Sequence, residues 1–188
     1  MNLSQMLTSP PTLPPLEPEF CPAVLANRTY RAAVADSGVG VPLILGLERG
    51  DGSVSRFETA VFPEADEAQE ATCYYVERLL KFLLWQKGAW KVYVGGPKYV
   101  AEYLQECYRP GGERDFDFHF MGRDVYEKLF TIVHCTPEEV PEEKETTKPL
   151  GRHLDGCRIG FDLGASDRKV SAVVDGEAIY SEEVVWEP

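Results

Sequence analysis

No stretch of this sequence approaches the roughly twenty consecutive apolar residues that a helix needs to span a bilayer. Residues 1–22 read "MNLSQMLTSPPTLPPLEPEFCP", which lacks both the basic start and the apolar run of a secretory signal. These two absences argue against a membrane protein and against export. The sequence therefore predicts a protein of the cytoplasm.

Paired cysteines are also lacking. The 5 cysteines are odd in number, widely spaced and nowhere arranged as C-x-x-C. This pattern argues against a disulfide framework and against a zinc ribbon, and it predicts reduced thiols.

Positive charge is scarce as well. Lys and Arg number 19 against 31 Asp and Glu, so the formal net charge is −12. Such a charge repels phosphate backbones, and no concentrated Lys/Arg stripe opposes it locally, which argues against a nucleic-acid partner. A small phosphate ligand stays compatible with this charge, because backbone N–H groups bind phosphate without a net positive charge.

Apolar residues make up 44% of the chain, which is enough for one good core. Periodicity and turn residues predict an α/β protein with two β-meanders. Strands are predicted over 29–38, 41–50, 53–62, 91–97, 115–122 and 130–135, and helices over 67–87, about 100–107 and about 123–129. A final meander is predicted over 157–188, with a turn at Asp175 and Gly176.

Four segments follow from this organisation. Residues 1–22 are proline-rich and predict an extended or disordered tail, with a proline-rich ligand as the alternative. Residues 23–136 predict one α/β lobe of mixed sheet with flanking helices. Residues 137–156 are charged and punctuated by proline, which predicts an acidic linker. Residues 157–188 form the final meander.

The stretch "RIGFDLGASDRK" carries the residues best suited to chemistry. Gly164 leaves room for a phosphate to approach the backbone, and Ser166 and Lys169 add donors. Asp162, at the end of the preceding strand, is a carboxylate suited to holding Mg²⁺ through water. The alternative is a surface hairpin in which Gly and Asp serve only the turn.

The stretch "IGFDLGAS", followed by "KVSAVVDGE", resembles the first phosphate-binding hairpin of the actin-like ATPase superfamily, and within it most closely the ROK family of sugar kinases and regulators. The resemblance implies a ribonuclease H-like fold, ATP and Mg²⁺ as cofactors and a sugar as second substrate. It implies Asp162 as the magnesium-side carboxylate and Gly164, Ala165 and Ser166 as the phosphate loop. Family members usually have a second glycine and a threonine where Ala165 and Ser166 stand.

Two further segments of the chain resemble the same superfamily. Asp36, Gly38 and Gly40 resemble its second phosphate loop, and Gly95 and Gly96 a segment that meets the adenosine. Together these residues imply that 23–136 is a ribonuclease H-like lobe and that 157–188 opens another, in a chain that is the front part of a longer protein or is truncated.

The function predicted in this way is nucleotide and Mg²⁺ binding by a ROK-like sugar kinase or related ATPase that is inactive alone, and no residue is assigned as catalytic. The alternatives are an ATPase that activates another enzyme and a degenerate, non-enzymatic lobe that serves regulation or homodimer formation.

Overall fold

The computed structural model describes residues 1–64, 66–145 and 154–186, and the fold is mixed α/β. The chain divides into two compact units, Met1–Thr146 and Thr147–Pro188. Within the described ranges, none of the helices combines the length and the apolar character that crossing a bilayer requires.

The first unit is built on a four-stranded mixed sheet. Its strands are β1 (Val41–Glu48), β2 (Val54–Val61), β3 (Lys91–Gly95) and β4 (Thr131–Cys135), in the order β2-β1-β3-β4. β1 lies antiparallel to β2 and β3, and β3 lies parallel to β4. The strands predicted over 41–50 and 53–62 form a hairpin, in whose turn Gly52 adopts a φ of 77° and the Asp51 carboxylate accepts the Ser53 N–H at 2.9 Å.

Two helices that the sequence predicted pack on this sheet. They are α3 (Asp66–Lys87) and α4 (Lys98–Cys107). α3 presents a buried face at three- and four-residue spacing and ends before Gly88, whose φ of 74° suits a helix stop. The buried side chains of α3 in the hydrophobic core are Ala68, Ala71, Cys73, Tyr75, Val76, Leu79, Leu80, Leu83 and Leu84.

The strand predicted over residues 29–38 is wrong, because this segment belongs to helix α2 (Ala23–Ser37). Ala26, Tyr30 and Val34 are the buried residues of α2, four residues apart on one helix face. The alanines favour a helix, and the spacing of the buried residues matches one.

The strand predicted over 115–122 is also wrong. These residues form helix α5 (Asp115–His119) and a π-helix (Phe120–Tyr126), which ends at Glu127 with a φ of 53°. Phe116 and Phe120 are one helical turn apart and stack at 5.5 Å, and Trp85 stacks on both. The alternating phenylalanines therefore place two rings on one helix face. The short helix predicted from about residue 123 begins earlier than expected.

Parts of the predicted tail and linker pack on the first unit. Helix α1 (Leu3–Met6) is capped by Asn2 and fully buries Met6, so the prediction of a plain tail over residues 1–22 is wrong at this point. A 3₁₀ helix (Pro137–Glu139) follows β4, and Val140 beyond it is only 2% exposed. Residues 137–145 thus belong to the first unit, and the rest of the predicted linker up to residue 153 lies outside the described residues.

The second unit is the predicted meander. It consists of β5 (Cys157–Leu163), β6 (Asp167–Val174) and β7 (Glu177–Val185), all antiparallel in the order β5-β6-β7. The predicted turn is confirmed, since Asp175 and Gly176 adopt φ values of 49° and 86°. Every described residue of this sheet is half-buried or exposed.

Candidate functional site

The predicted site residues fall into two groups, one in each unit. Asp36, Gly38, Gly40, Gly95 and Gly96 belong to the first unit. Asp162, Gly164, Ala165, Ser166 and Lys169 belong to the second.

The segment of Asp36, Gly38 and Gly40 is a helix end followed by a strand. Asp36 lies in the last turn of α2, and Gly38 caps this helix in the left-handed region at a φ of 68°. A Cβ on Gly40 would lie 2.7 Å from Cγ1 of Val34. A helix stop and close packing therefore account for both glycines. The strand on which the prediction of a second phosphate loop depended is not formed.

Gly95 and Gly96 lie where β3 leads into α4, as predicted. A Cβ on Gly95 would lie 3.0 Å from Cα of Pro137 and would overlap Val140. A Cβ on Gly96 would lie 3.0 Å from the carbonyl oxygen of Pro42. Close backbone packing accounts for both glycines, and their predicted contact with adenosine stays a prediction.

The second unit brings its predicted polar residues to one face of the sheet. Asp162 on β5 is the direct cross-strand partner of Lys169 on β6. Both line a shallow pocket with a volume of about 360 Å³, together with Gly160, Ser171, Ser181 and Glu183. Because side chains alternate between the two faces of a strand, these residues share one face. A Cβ on Gly160 would lie 2.9 Å from the Ser171 hydroxyl oxygen, so glycine keeps this face open.

Lys169 is held by carboxylates that the sequence did not assign to it. Its ammonium group lies 3.3 Å from Asp167 and 3.7 Å from Glu183. The hydrogen bond to Asp167 is the main cause that raises the pKa of Lys169, and the charges of Asp167, Glu183 and Asp162 act in the same direction. Lys169 therefore stays protonated. With Asp162 included, three carboxylates face one ammonium group, so the local charge of this surface is negative.

The turn between β5 and β6 consists of Gly164, Ala165 and Ser166. Among the described residues, none accepts a hydrogen bond from the amide N–H groups of these three residues. Gly164 is tightly approached, since a Cβ there would lie 3.0 Å from the carbonyl oxygen of Asp167. The turn thus leaves three consecutive N–H groups without an acceptor among the described residues, a feature that it shares with anion-binding turns.

Trp186 is a further residue of this site that sequence reasoning missed. Its backbone N–H donates to the Ser166 carbonyl oxygen at 3.1 Å, and its indole N–H donates to the Gly164 carbonyl oxygen at 3.1 Å. Nothing in the local pattern around residue 186 indicates this role. Glu183, Ser171 and Ser181, by contrast, could have been found by counting alternate positions from the turns.

The donor chemistry of the site fits Mg²⁺. Mg²⁺ prefers oxygen ligands and commonly keeps several waters while it binds one or two carboxylates and substrate phosphates. Asp162 supplies an exposed carboxylate of this kind on β5. Within the described ranges there is no group of three or more His, Cys, Asp or Glu residues arranged to hold a metal ion. A metal at Asp162 would therefore complete its shell with water and with the phosphates of a ligand.

Comparison with known proteins leaves the family open. The chain matches no family model, and neither a curated protein nor a solved structure matches it.

Proposed function

We propose that the second unit binds the phosphates of a Mg²⁺–nucleotide, in the manner of the phosphate-binding hairpin of ROK-like sugar kinases or related actin-fold ATPases of the cytoplasm. The observation that carries the proposal is the β5–β6 hairpin itself. It combines the Asp162 carboxylate with the free N–H groups of Gly164, Ala165 and Ser166 at one end of the sheet. Neither feature requires a positively charged surface.

The two features contact different parts of the ligand. The N–H groups of the turn are fixed dipoles that can meet phosphate oxygens directly. The negative charge around Lys169 repels a bare phosphate, so the ligand has to bring its own cation. Mg²⁺ bound to the phosphates, with Asp162 holding its water shell, changes the sign of this interaction. The proposal therefore requires the Mg²⁺ complex of the nucleotide rather than the free nucleotide.

The ribonuclease H-like assignment is proposed for the second unit alone. Its three antiparallel strands agree with the opening meander of such a lobe. In the first unit, the strand that the assignment needs at 29–38 is helix α2. We therefore do not extend the proposal to residues 23–136.

Calorimetric titration of the full chain with Mg²⁺–ATP tests this function. We expect saturable binding to the wild-type chain and at least about tenfold weaker binding to Asp162→Asn, because a charge-assisted interaction of about 1.5–3 kcal/mol is lost. ATP titrated in the presence of a chelator is expected to bind as weakly. The experiment thus separates the metal-dependent contact from contacts with the turn.

Glu177→Gln is the matched control. It removes the same charge from the same sheet, but Glu177 pairs with Val174 at the end of the sheet away from the β5–β6 turn. Binding that stays the same in Asp162→Asn, or falls equally in both variants, would remove Asp162 from the site. A folded chain that does not bind Mg²⁺–ATP at millimolar concentration would overturn the proposal.

A non-enzymatic role in regulation or homodimer formation is the second candidate. The observation that favours it is the other face of β5, where Ile159 is 81% exposed and Phe161 63% exposed. Contiguous exposed apolar side chains commonly mark interaction surfaces. A folded chain without nucleotide affinity would place this candidate ahead.

A further inference from the structure

Trp186 is attached to the predicted phosphate-binding turn at two points. It follows directly after β7, whose last residue Val185 pairs with Asp167 at the start of β6. From this position its backbone N–H reaches the Ser166 carbonyl oxygen, and its indole N–H reaches the Gly164 carbonyl oxygen, each at 3.1 Å. The two bonds hold the first and the last residue of the turn.

The bond to Gly164 determines where a neighbouring donor points. The peptide bond between Gly164 and Ala165 is trans and planar, so the Gly164 carbonyl and the Ala165 N–H point in opposite directions. With the carbonyl directed at the indole, the Ala165 N–H is directed away from it. Without the indole, this peptide unit could rotate and present its carbonyl oxygen where a phosphate needs a donor.

We propose that Trp186 is a positioning residue for phosphate binding, which fixes the orientation of the Gly164–Ala165 peptide so that its N–H faces the ligand. This inference rests on the proposed function of the β5–β6 hairpin. Trp186 itself does not contact the phosphate. It acts through the turn, and its indole N–H is at the same time a spectroscopic probe of the state of the turn.

The first measurement is made on the wild-type chain. The chain has 3 tryptophans, so the ¹⁵N–¹H spectrum of the full chain contains three indole signals, and Trp186→Phe assigns one of them. On titration with Mg²⁺–ATP, we expect the Trp186 signal to shift with the binding isotherm. The signals of Trp85 and Trp90, which belong to the first unit, are the internal reference. An unchanged Trp186 signal at saturating Mg²⁺–ATP overturns the inference.

The second measurement compares affinities. Trp186→Phe keeps an aromatic ring and the backbone N–H but removes the indole donor. We expect it to bind Mg²⁺–ATP about tenfold more weakly, as is typical when a donor that orients a charged contact is lost. Tyr180→Phe is the control, because Tyr180 is an aromatic residue of β7, the strand that Trp186 follows, and it pairs with Ala172, away from the turn. The backbone amide spectrum of β5–β7 reports whether either variant disturbs the sheet.

The outcomes separate this inference from the proposed function. If Asp162→Asn weakens binding while Trp186→Phe binds like the wild-type chain, the inference is wrong and the proposed function stands. If the wild-type chain does not bind Mg²⁺–ATP, both are wrong. If Trp186→Phe disturbs the sheet, the indole shift in the wild-type chain decides alone.

Discussion

The buried hydroxyl pair of Tyr30 and Thr72 allows the helix at 23–37 to be tested by a quantitative perturbation. Both residues are fully buried, and their hydroxyl oxygens lie 2.7 Å apart. The Phe62 N–H also donates to the Tyr30 hydroxyl at 3.3 Å. Tyr30→Phe keeps the stacking on Tyr75 at 4.4 Å but leaves two buried polar groups with one partner fewer.

The expected cost follows from this arrangement. A buried donor or acceptor without its partner costs about 1–3 kcal/mol, so Tyr30→Phe should lower the free energy of unfolding of the first unit by this amount. Thr72→Val should cost a similar amount. In the double variant both hydroxyls are gone, and its cost should fall below the sum of the single costs by about 1 kcal/mol.

Urea denaturation followed by circular dichroism at 222 nm is the assay, because the described helices all belong to the first unit. Tyr74→Phe is the control, since no described residue forms a hydrogen bond with its hydroxyl. If the cost of the double variant equals the sum of the two single costs to within about 0.3 kcal/mol, the Tyr30–Thr72 hydrogen bond is refuted. The placement of Tyr30 on a helix face that packs against α3 would then be wrong.

Two further predictions concern the first unit. Val140→Ala should lower the free energy of unfolding by about 2 kcal/mol, because Val140 is buried. If the urea midpoint of this variant equals that of the wild-type chain, residue 140 belongs to a solvated linker. Burial raises the pKa of Tyr30 to about 12, so its folded form keeps a proton that the unfolded chain loses near pH 10. This contribution to stability is complete below about pH 10 and is lost as the pH rises towards 12. The tyrosinate absorbance that the wild-type chain has in excess of Tyr30→Phe should therefore appear near pH 12. If this excess appeared near pH 10, it would contradict the burial of the Tyr30 hydroxyl.

The fold could be predicted where the local pattern and the tertiary environment agree. α3 was predicted because its apolar residues repeat with the period of a helix, and β1 and β2 because the turn residues Gly50, Asp51 and Gly52 separate two strand-forming runs. The strand predicted at 115–122 was wrong because a short alternation fits more than one element. The strand predicted at 29–38 was wrong because this segment continues a helix whose buried residues are four residues apart. The four-residue spacing of Tyr30 and Val34, and of Phe116 and Phe120, becomes decisive only when partners such as Thr72 and Trp85 cover that face.

The candidate site was predicted in part. Asp162, Gly164, Ala165, Ser166 and Lys169 are neighbours in the sequence, so a single hairpin brings them together. The contacts of Trp186 with Gly164 and Ser166 could not be predicted, because they depend on the register of β7 against β6 and on the bulge between Ala172 and Val173.

The sequence by itself determined the hairpin at 157–174, the turn at Asp175 and Gly176 and the long helix α3, since these depend on backbone conformation and on periodicity within one segment. Only the tertiary structure decided that residues 23–37 are a helix, that Val140 belongs to the core of the first unit, and that Trp186 holds the β5–β6 turn. The physical reason is that burial and cross-strand hydrogen bonds depend on residues distant in the chain, and a local pattern contains no information about them.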